Sequence, residues 1–477
     1  MADTIDITEE LLFASVRELG GHLKSGKLSS AALTEAYLDR LEKIGPKLNA
    51  VVTVTRELAL QEAARADKEI KAGKYRGPLH GIPYGLKDLI ATKGIPTTWG
   101  AEPYRKQVFD HDATVLTRLR QAGAVLAAKL AMVELAGGMG YSNADASFSG
   151  PCKTPWHVGY WSGGSSSGSG AAVAAGLVGF AIGSETSGSI ITPAAYSGVC
   201  GLRPTYGRVS RHGAMSLCWT LDKLGPMCRS ADDCGLVLAA IAGSDPKDPS
   251  SVDKPFRYGD PPKKNGKKFR VGIVKDATKN VQPEVKKNFE AAVEVIKKFA
   301  EVQDGVAFPD LPFGPVVSTV IDAEAASAFR ELIESGGCGK LQNPDDRWGG
   351  YAGMAVLAVD YLQAMRLRPR MQRELDELYE PYDALIAPSR ATVAPPIDVE
   401  FAKAYPGKGS GGPPLIPAGN AVGQPALSVP DGFGLHGLPT GIQFTGRIWS
   451  EDRLVALAHL YQRETDWHRR RPGLGKE

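Results

Sequence analysis

A chain of 477 residues, 43% hydrophobic and 23% charged, can bury a large core and has the make-up of an ordinary globular protein. Fifty-six Lys and Arg against 53 Asp and Glu leave a net charge of only +3, scattered along the chain, so neither nucleic acid nor an anionic membrane surface is an expected partner. The amino-terminal segment lacks a basic start followed by an apolar core, and no run of 18 apolar residues exists, so no signal peptide or membrane span is expected and a cytoplasmic location is.

Residues 8–72 carry apolar residues at helical spacing, with Ser at a cap position ahead of AALTEAYLDRLEKIG, and are expected to be helical. GPLHGIPYGLKDLIATKG (Gly77–Gly94) is turn-rich around one short apolar strand. DATVLTRLRQAGAVLAAKLAM then reads as helix, Gly stop and buried strand, an α/β unit. Past Gly170 the chain alternates AAVAAGLV, GFAIG and CGLRPT with turns, as a mostly buried sheet requires. Between about Asp245 and Lys268 the composition shifts to Pro, Asp and Lys, marking a surface crossing or subdomain boundary. Its basic stretch PPKKNGKK (Pro261–Lys268), like HRRRP near the C-terminus, is expected on a solvated loop. FRVGIV (Phe269–Val274) predicts a strand and PEVKKNFEAAVEVIKKFA an amphipathic helix. AEAASAFRELIESGG and YLQAMRLRPRMQRELDELYEPY predict further helices, and DALIAPS and PALSVP buried strands. The six cysteines (Cys152, Cys200, Cys218, Cys228, Cys234 and Cys338) form no CxxC pair and stand near no histidine at zinc spacing. Buried reduced thiols and no metal are the expectation.

Two serine-glycine clusters carry the functional signal: WSGGSSSGSG (Trp161–Gly170) and SETSGSI (Ser184–Ile190). The first runs into AAVAAG, a helix with almost no side-chain bulk, which must pack closely against something. The second follows a short apolar strand, and a strand ending in a Gly-rich turn aims successive N–H groups into one concavity, as oxyanion stabilisation needs. A phosphate loop is the competing reading, but GKST is absent and no strand–GxGxxG–helix unit is present. GSSSG (Gly164–Gly168) matches the hydrolase pattern GxSxG at Ser166, yet no histidine is committed as its base.

GIPYGLKDLIATKGIPTTWGA together with WSGGSSSGSGAAVAAGLVGFAIGSETSGSIITPAAYSGVCGLRPTYGRVSRHG resembles the amidase signature family. The resemblance also covers SSAALTEAYLDRLEKIGPKLNAVVTV, PYDALIAPS, GNAVGQPALSVP and GLPTGIQFTGR, and thins between about Asp245 and Leu375. It implies an α/β fold with a central mixed β-sheet covered by helices on both faces. It also implies a single domain over 1–477, with its core signature at about 77–240 and a less typical insert or subdomain at about 245–375. Enzymes of this family use a Ser-Ser-Lys triad with the middle serine in a cis peptide bond. Lys87 matches the lysine, Ser165 the cis serine and Ser189 the acylated nucleophile, with backbone N–H groups of Thr186, Ser187, Gly188 and Ser189 as oxyanion donors. No cofactor and no metal are implied.

Each residue type suits the chemistry. A serine hydroxyl is a poor nucleophile until a base takes its proton. Lysine can be that base only when neutral, which burial or neighbouring positive charge brings about. Ser165 would relay the proton between Ser189 and Lys87. Ser166, Ser167 and Ser169 are expected to support by hydrogen bonding, Asp88 to be structural, and Glu185 and Arg203 to fix the nucleophile turn.

The commonest family form, DTGGSIR, is ETSGSII here: Ser187 replaces a Gly and Ile191 an Arg. In the A subunits of glutamyl-tRNA amidotransferases that arginine belongs to the glutamine-handling region, and an α-carboxylate needs such a partner. Ile191 therefore points to an uncharged amide, ester or carbamate as the small-molecule substrate, cleaved through an acyl-Ser189 enzyme. The alternative is a glutamine-hydrolysing member of such an amidotransferase, releasing ammonia for a partner complex. A homodimer is compatible with either reading. The GGMGYSN loop (Gly137–Asn143) and Tyr141, Phe148, Trp156, Tyr160 and Trp161 are expected to line the pocket.

Overall fold

The computed structural model describes residues 5–259, 268–409 and 411–474, so the basic stretch at 261–267 lies outside the described residues. Among the described residues eleven strands form one sheet in the order β1-β3-β2-β4-β6-β5-β10-β11-β9-β7-β8. They are β1 (Val51–Val54), β2 (Pro83–Lys87), β3 (Val125–Leu130), β4 (Phe180–Glu185), β5 (Cys200–Arg203), β6 (Lys223–Cys228), β7 (Phe269–Val274), β8 (Ala300–Val306), β9 (Ala384–Pro388), β10 (Ala426–Phe433) and β11 (Pro439–Thr445). The sheet is mixed: β2 pairs parallel with β3 and β4, while β4–β6 and β10–β11 are antiparallel.

Helices cover both faces because the central strands are apolar on both. Along β4, Phe180 and Ile182 join one core cluster and Ala181 joins the other, as the two-residue period of a strand dictates. The apolar helix Ala231–Ile241 packs in the first cluster and the alanine-rich helix Ser167–Ala174 in the second. That small-residue helix begins inside the serine cluster, and all of it is buried. A Cβ on Gly168 would sit 2.4 Å from both the Ala131 nitrogen and the Ala50 carbonyl oxygen, so backbone meets backbone there and only glycine fits.

The expectation of helix throughout residues 8–72 needs one correction. Asn49 closes the helix Ser30–Leu48 in a left-handed conformation (φ 50°), and VVTV then forms β1 against β3 before the helix Arg56–Lys71 begins. Four residues with three β-branched valines favour a strand, and the edge of an existing sheet supplies its hydrogen bonds. From residue 268 onward, β7 and β8 extend the sheet beyond β9, followed by the helices Phe313–Ala328, Pro344–Met354 and Ala358–Tyr379. Among the described residues no helix is long and apolar enough to cross a membrane. All six cysteines are buried and unpaired.

Candidate active site

Parallel pairing of β2 with β4 puts their C-terminal ends on the same edge of the sheet, where open α/β sheets place their sites. Lys87 ends β2, and Ser184 and Glu185 end β4. Lys87 is fully buried, and its Nζ lies 2.7 Å from Ser165 Oγ and 2.8 Å from Ser184 Oγ. Burial pushes the Lys87 ammonium down to about 7, against a weaker opposing pull from Asp222 and Glu185. Near neutral pH this amine therefore loses its proton, and among the described residues only hydroxyls, those of Ser165 and Ser184, stand within hydrogen-bond reach of it.

The Gly164–Ser165 peptide bond is cis, and Ser165 is 0% exposed. Trp161 packs directly over Gly164, where a Cβ would sit 2.6 Å from the indole. The two serine segments run side by side: the Ser166 N–H donates to the Ser189 carbonyl oxygen at 3.3 Å. Ser166 Oγ accepts from the Ser184 N–H and donates to the Ser184 carbonyl, both at 3.1 Å. That hydroxyl is committed to the backbone of β4, which removes the ground for a GxSxG nucleophile at Ser166. Ser169 Oγ donates to the Ile182 carbonyl at 3.2 Å and Ser167 Oγ to Ala131, so these serines tether the loop, as expected.

Ser189 is 9% exposed, against 0% for Lys87 and Ser165, and so faces the open side of the site. The turn beneath it is organised by Glu185. One carboxylate oxygen accepts from the Ile190 N–H at 2.9 Å and the Ile191 N–H at 3.1 Å. The other accepts from Arg203 at 2.9 Å and from Asn420 at 3.0 Å. Burial opposes the charge, but Arg203, Asn420 and Lys223 outweigh it and hold the Glu185 carboxyl at about 2. With residues 190 and 191 capped in this way, the N–H groups of Thr186, Ser187, Gly188 and Ser189 remain without a protein acceptor among the described residues. Gly188 takes φ +91°, a left-handed value that favours glycine. Thr186 Oγ1 donates to Asp222 at 2.6 Å, anchoring the start of the turn.

Four further residues of the site, Ser184, Asp222, Lys223 and Asn420, are given no role by the sequence. Ser184 had one available signal, its place at the end of the strand that feeds the nucleophile turn. Asn420 lies in GNAVGQPALSVP, one of the segments that carry the resemblance, but nothing in that segment reports its contact with Glu185, 235 residues away along the chain. Lys223 lies opposite Glu185 in the β4–β6 register and is also pushed down to about 7, by burial and then by Arg203. Its Nζ donates to the Leu221 carbonyl, and no contact joins it to a serine of the site. Asp88 is structural, as expected: it pairs with buried Lys129 at 3.1 Å and accepts from the Thr98 N–H at 2.9 Å.

The expected aromatic wall is only partly assembled. Trp161 stacks on Phe401 (4.6 Å between centroids) and meets Tyr141 and Tyr196 edge-on. Trp156 and Tyr160 pack against the same cluster while also meeting Phe433 and His436, whereas Phe148 lies under the Arg105 guanidinium. Phe148 sits in a turn closed by the Gly150 N–H on the Ser147 carbonyl, and a neighbouring cation claims its ring face.

The sequence model of the Amidase family matches residues 32–455. The chain belongs to the amidase family. It is 36% identical to the A subunit of a glutamyl-tRNA(Gln) amidotransferase from Moorella thermoacetica, over 98% of this chain and 99% of the relative. Among solved structures it resembles the peptide amidase of Stenotrophomonas maltophilia, with a TM-score of 0.85 at 32% identity over 97% of this chain and 99% of that one. It also resembles the A subunit of the glutamyl-tRNA(Gln) amidotransferase from Thermotoga maritima, with a TM-score of 0.78 at 25% identity, covering 97% and 96% of the two chains. An amidase-family hydrolase with a mixed α/β fold is therefore the identity that sequence and structure share.

Proposed function

We propose that this amidase hydrolyses small linear amides whose reacting end is uncharged, through an acyl-enzyme on Ser189, with Ser165 as proton relay and Lys87 as base. The observation that carries the reading is the buried Lys87 amine at 2.7 Å from Ser165 Oγ, with its pKa brought to about 7. Neutral Lys87 accepts the Ser165 proton while Ser165 takes that of Ser189, and Ser189 Oγ bonds to the amide carbon. The resulting oxyanion sits against the free N–H groups of the 186–189 turn. As the C–N bond breaks, the proton returns through Ser165 to the leaving amine. Water then repeats the sequence on the ester and releases the acid.

Relatives named as components of glutamyl-tRNA(Gln) amidotransferases support the second reading, glutamine hydrolysis for a partner complex. Ile191 argues against it. This residue is fully buried in the first turn of the helix Ile191–Ser197 and offers no charge to an α-carboxylate. For the purified chain alone, kcat/KM for an acetanilide-type substrate is expected to exceed that for free glutamine by roughly a hundredfold or more, since an unpaired substrate charge beside the nucleophile costs a few kcal/mol. A preference for glutamine would establish the amidotransferase reading instead.

A further inference from the structure

Beyond the nucleophile turn lies a recess of about 210 Å³ whose lining includes Lys279, Ser389, Arg390, Leu415, Ile416 and Gln443. It adjoins the site, because Ile416 of its wall also faces Gly188, together with Thr192: a Cβ on that glycine would sit 3.3 Å from Ile416 Cγ2 and from Thr192 Oγ1. The helix Leu415–Val422 that carries this wall is tied to the nucleophile turn through Asn420 and Glu185. Arg390 follows β9 and places its guanidinium 5.9 Å from the ring centroid of Tyr196. Tyr196 in turn meets Trp161, which covers Gly164 beside Ser165. Arg390 therefore stands where the aromatic wall of the reacting end passes into the recess.

The chemistry of the recess is one-sided. Its described lining contains two cations, Lys279 and Arg390, and no carboxylate. Neither side chain makes an ion pair with a described carboxylate. Arg203 of the nucleophile turn, by contrast, is neutralised by Glu185 at 2.9 Å. The floor is polar as well. Gln443 is 3% exposed, its Nε2 reaches the Pro388 carbonyl at 3.4 Å, and its Oε1 has no protein partner. Arg390 and Lys279 are both exposed, and Arg390 lies against Tyr196, so a bare alkyl tail entering here would displace the water around two cations without pairing either charge.

We infer that the recess is a carboxylate subsite, so that the preferred substrates are amides whose acyl chain ends, away from the scissile bond, in a carboxylate held by Arg390 with help from Lys279. The inference rests on the acyl-Ser189 reading above and narrows the uncharged-substrate expectation to the reacting end. Glutamine, whose acyl chain also ends in a carboxylate, fits poorly because the ammonium beside that carboxylate would face the same two cations.

The test compares mono-p-nitroanilides of glutaric, adipic and pimelic acids with p-nitroanilides of the alkyl acids of equal carbon number. A carboxamide-ended adipic analogue separates charge from polarity. The expected result is a kcat/KM ratio of at least about tenfold in favour of the carboxylate at one chain length, carried by KM and shrinking as ionic strength rises. In Arg390→Ala the ratio collapses toward one, and in Arg390→Lys it returns in part. Because the readout is a ratio of two substrates on one protein, a general loss of fold or rate cancels. A ratio near one in the native chain, an equal rate for the carboxamide analogue, or a ratio that survives Arg390→Ala overturns the subsite while alkyl anilide turnover leaves the amidase reading standing. Failure to cleave any anilide overturns both.

Discussion

Ser189→Ala is expected to lower kcat for amide hydrolysis by roughly 10,000-fold or more, because triad members act as a unit and the remainder reflects only binding and the oxyanion donors. The fold should be unaffected. Ser189 is a small residue at the exposed side of the site, and no side-chain hydrogen bond of its hydroxyl holds the turn, which depends instead on Glu185. Circular dichroism and thermal unfolding should therefore match the native chain while steady-state turnover disappears. Ser166→Ala provides the contrast. It removes two hydrogen bonds to Ser184 at 3.1 Å, so it should lower stability by about 1–3 kcal/mol and reduce activity far less than Ser189→Ala does. Near-native turnover in Ser189→Ala would remove the nucleophile assignment.

The second large effect is expected at Lys87. Lys87→Ala should cut turnover by roughly a thousandfold, the scale of a lost general base. The pH profile identifies the role. On the proposed mechanism the active form carries neutral Lys87, so kcat/KM should climb as pH rises through about 7 and level off above it. The sign follows from the cause: burial disfavours the ammonium more than Asp222 and Glu185 favour it, so protonation at lower pH removes the base. In Lys87→Ala the residual rate should lose that inflection. Neither neighbouring buried lysine can replace it, since Lys129 is held by Asp88 at 3.1 Å and Lys223 donates to the Leu221 carbonyl. An unchanged inflection in the variant would assign it to another group and leave Lys87 a structural role.

Much of this site was legible in the sequence because its main pieces are local. Lys87 ends a short strand between turns, and the clusters around Ser165 and Ser189 are contiguous stretches whose glycines mark close backbone approach. The supporting parts are assembled across the fold. Asn420 reaches Glu185 from a helix 235 residues away, and Arg390 enters through the loop after β9. Nothing in the local pattern of either segment reports that proximity. Strand β1 escaped for a different reason: four residues are too few for a two-residue period to show against the helical pattern on both sides. The aromatic residues show the limit of counting by sequence neighbourhood. Trp161 and Tyr141 converge, whereas Phe148, seven residues after Tyr141, pairs with Arg105 elsewhere.

The central claim, that Ser189 is the acylated residue of a Lys87–Ser165–Ser189 site, is tested most directly by covalent trapping. The purified chain is incubated with a serine-reactive fluorophosphonate and digested, and the modified peptide is sequenced by mass spectrometry. One equivalent of label on Ser189, absent from Ser189→Ala and formed faster as pH rises through about 7, is the result predicted here. Label on Ser166 or Ser165, or equal labelling of Ser189→Ala, would contradict it.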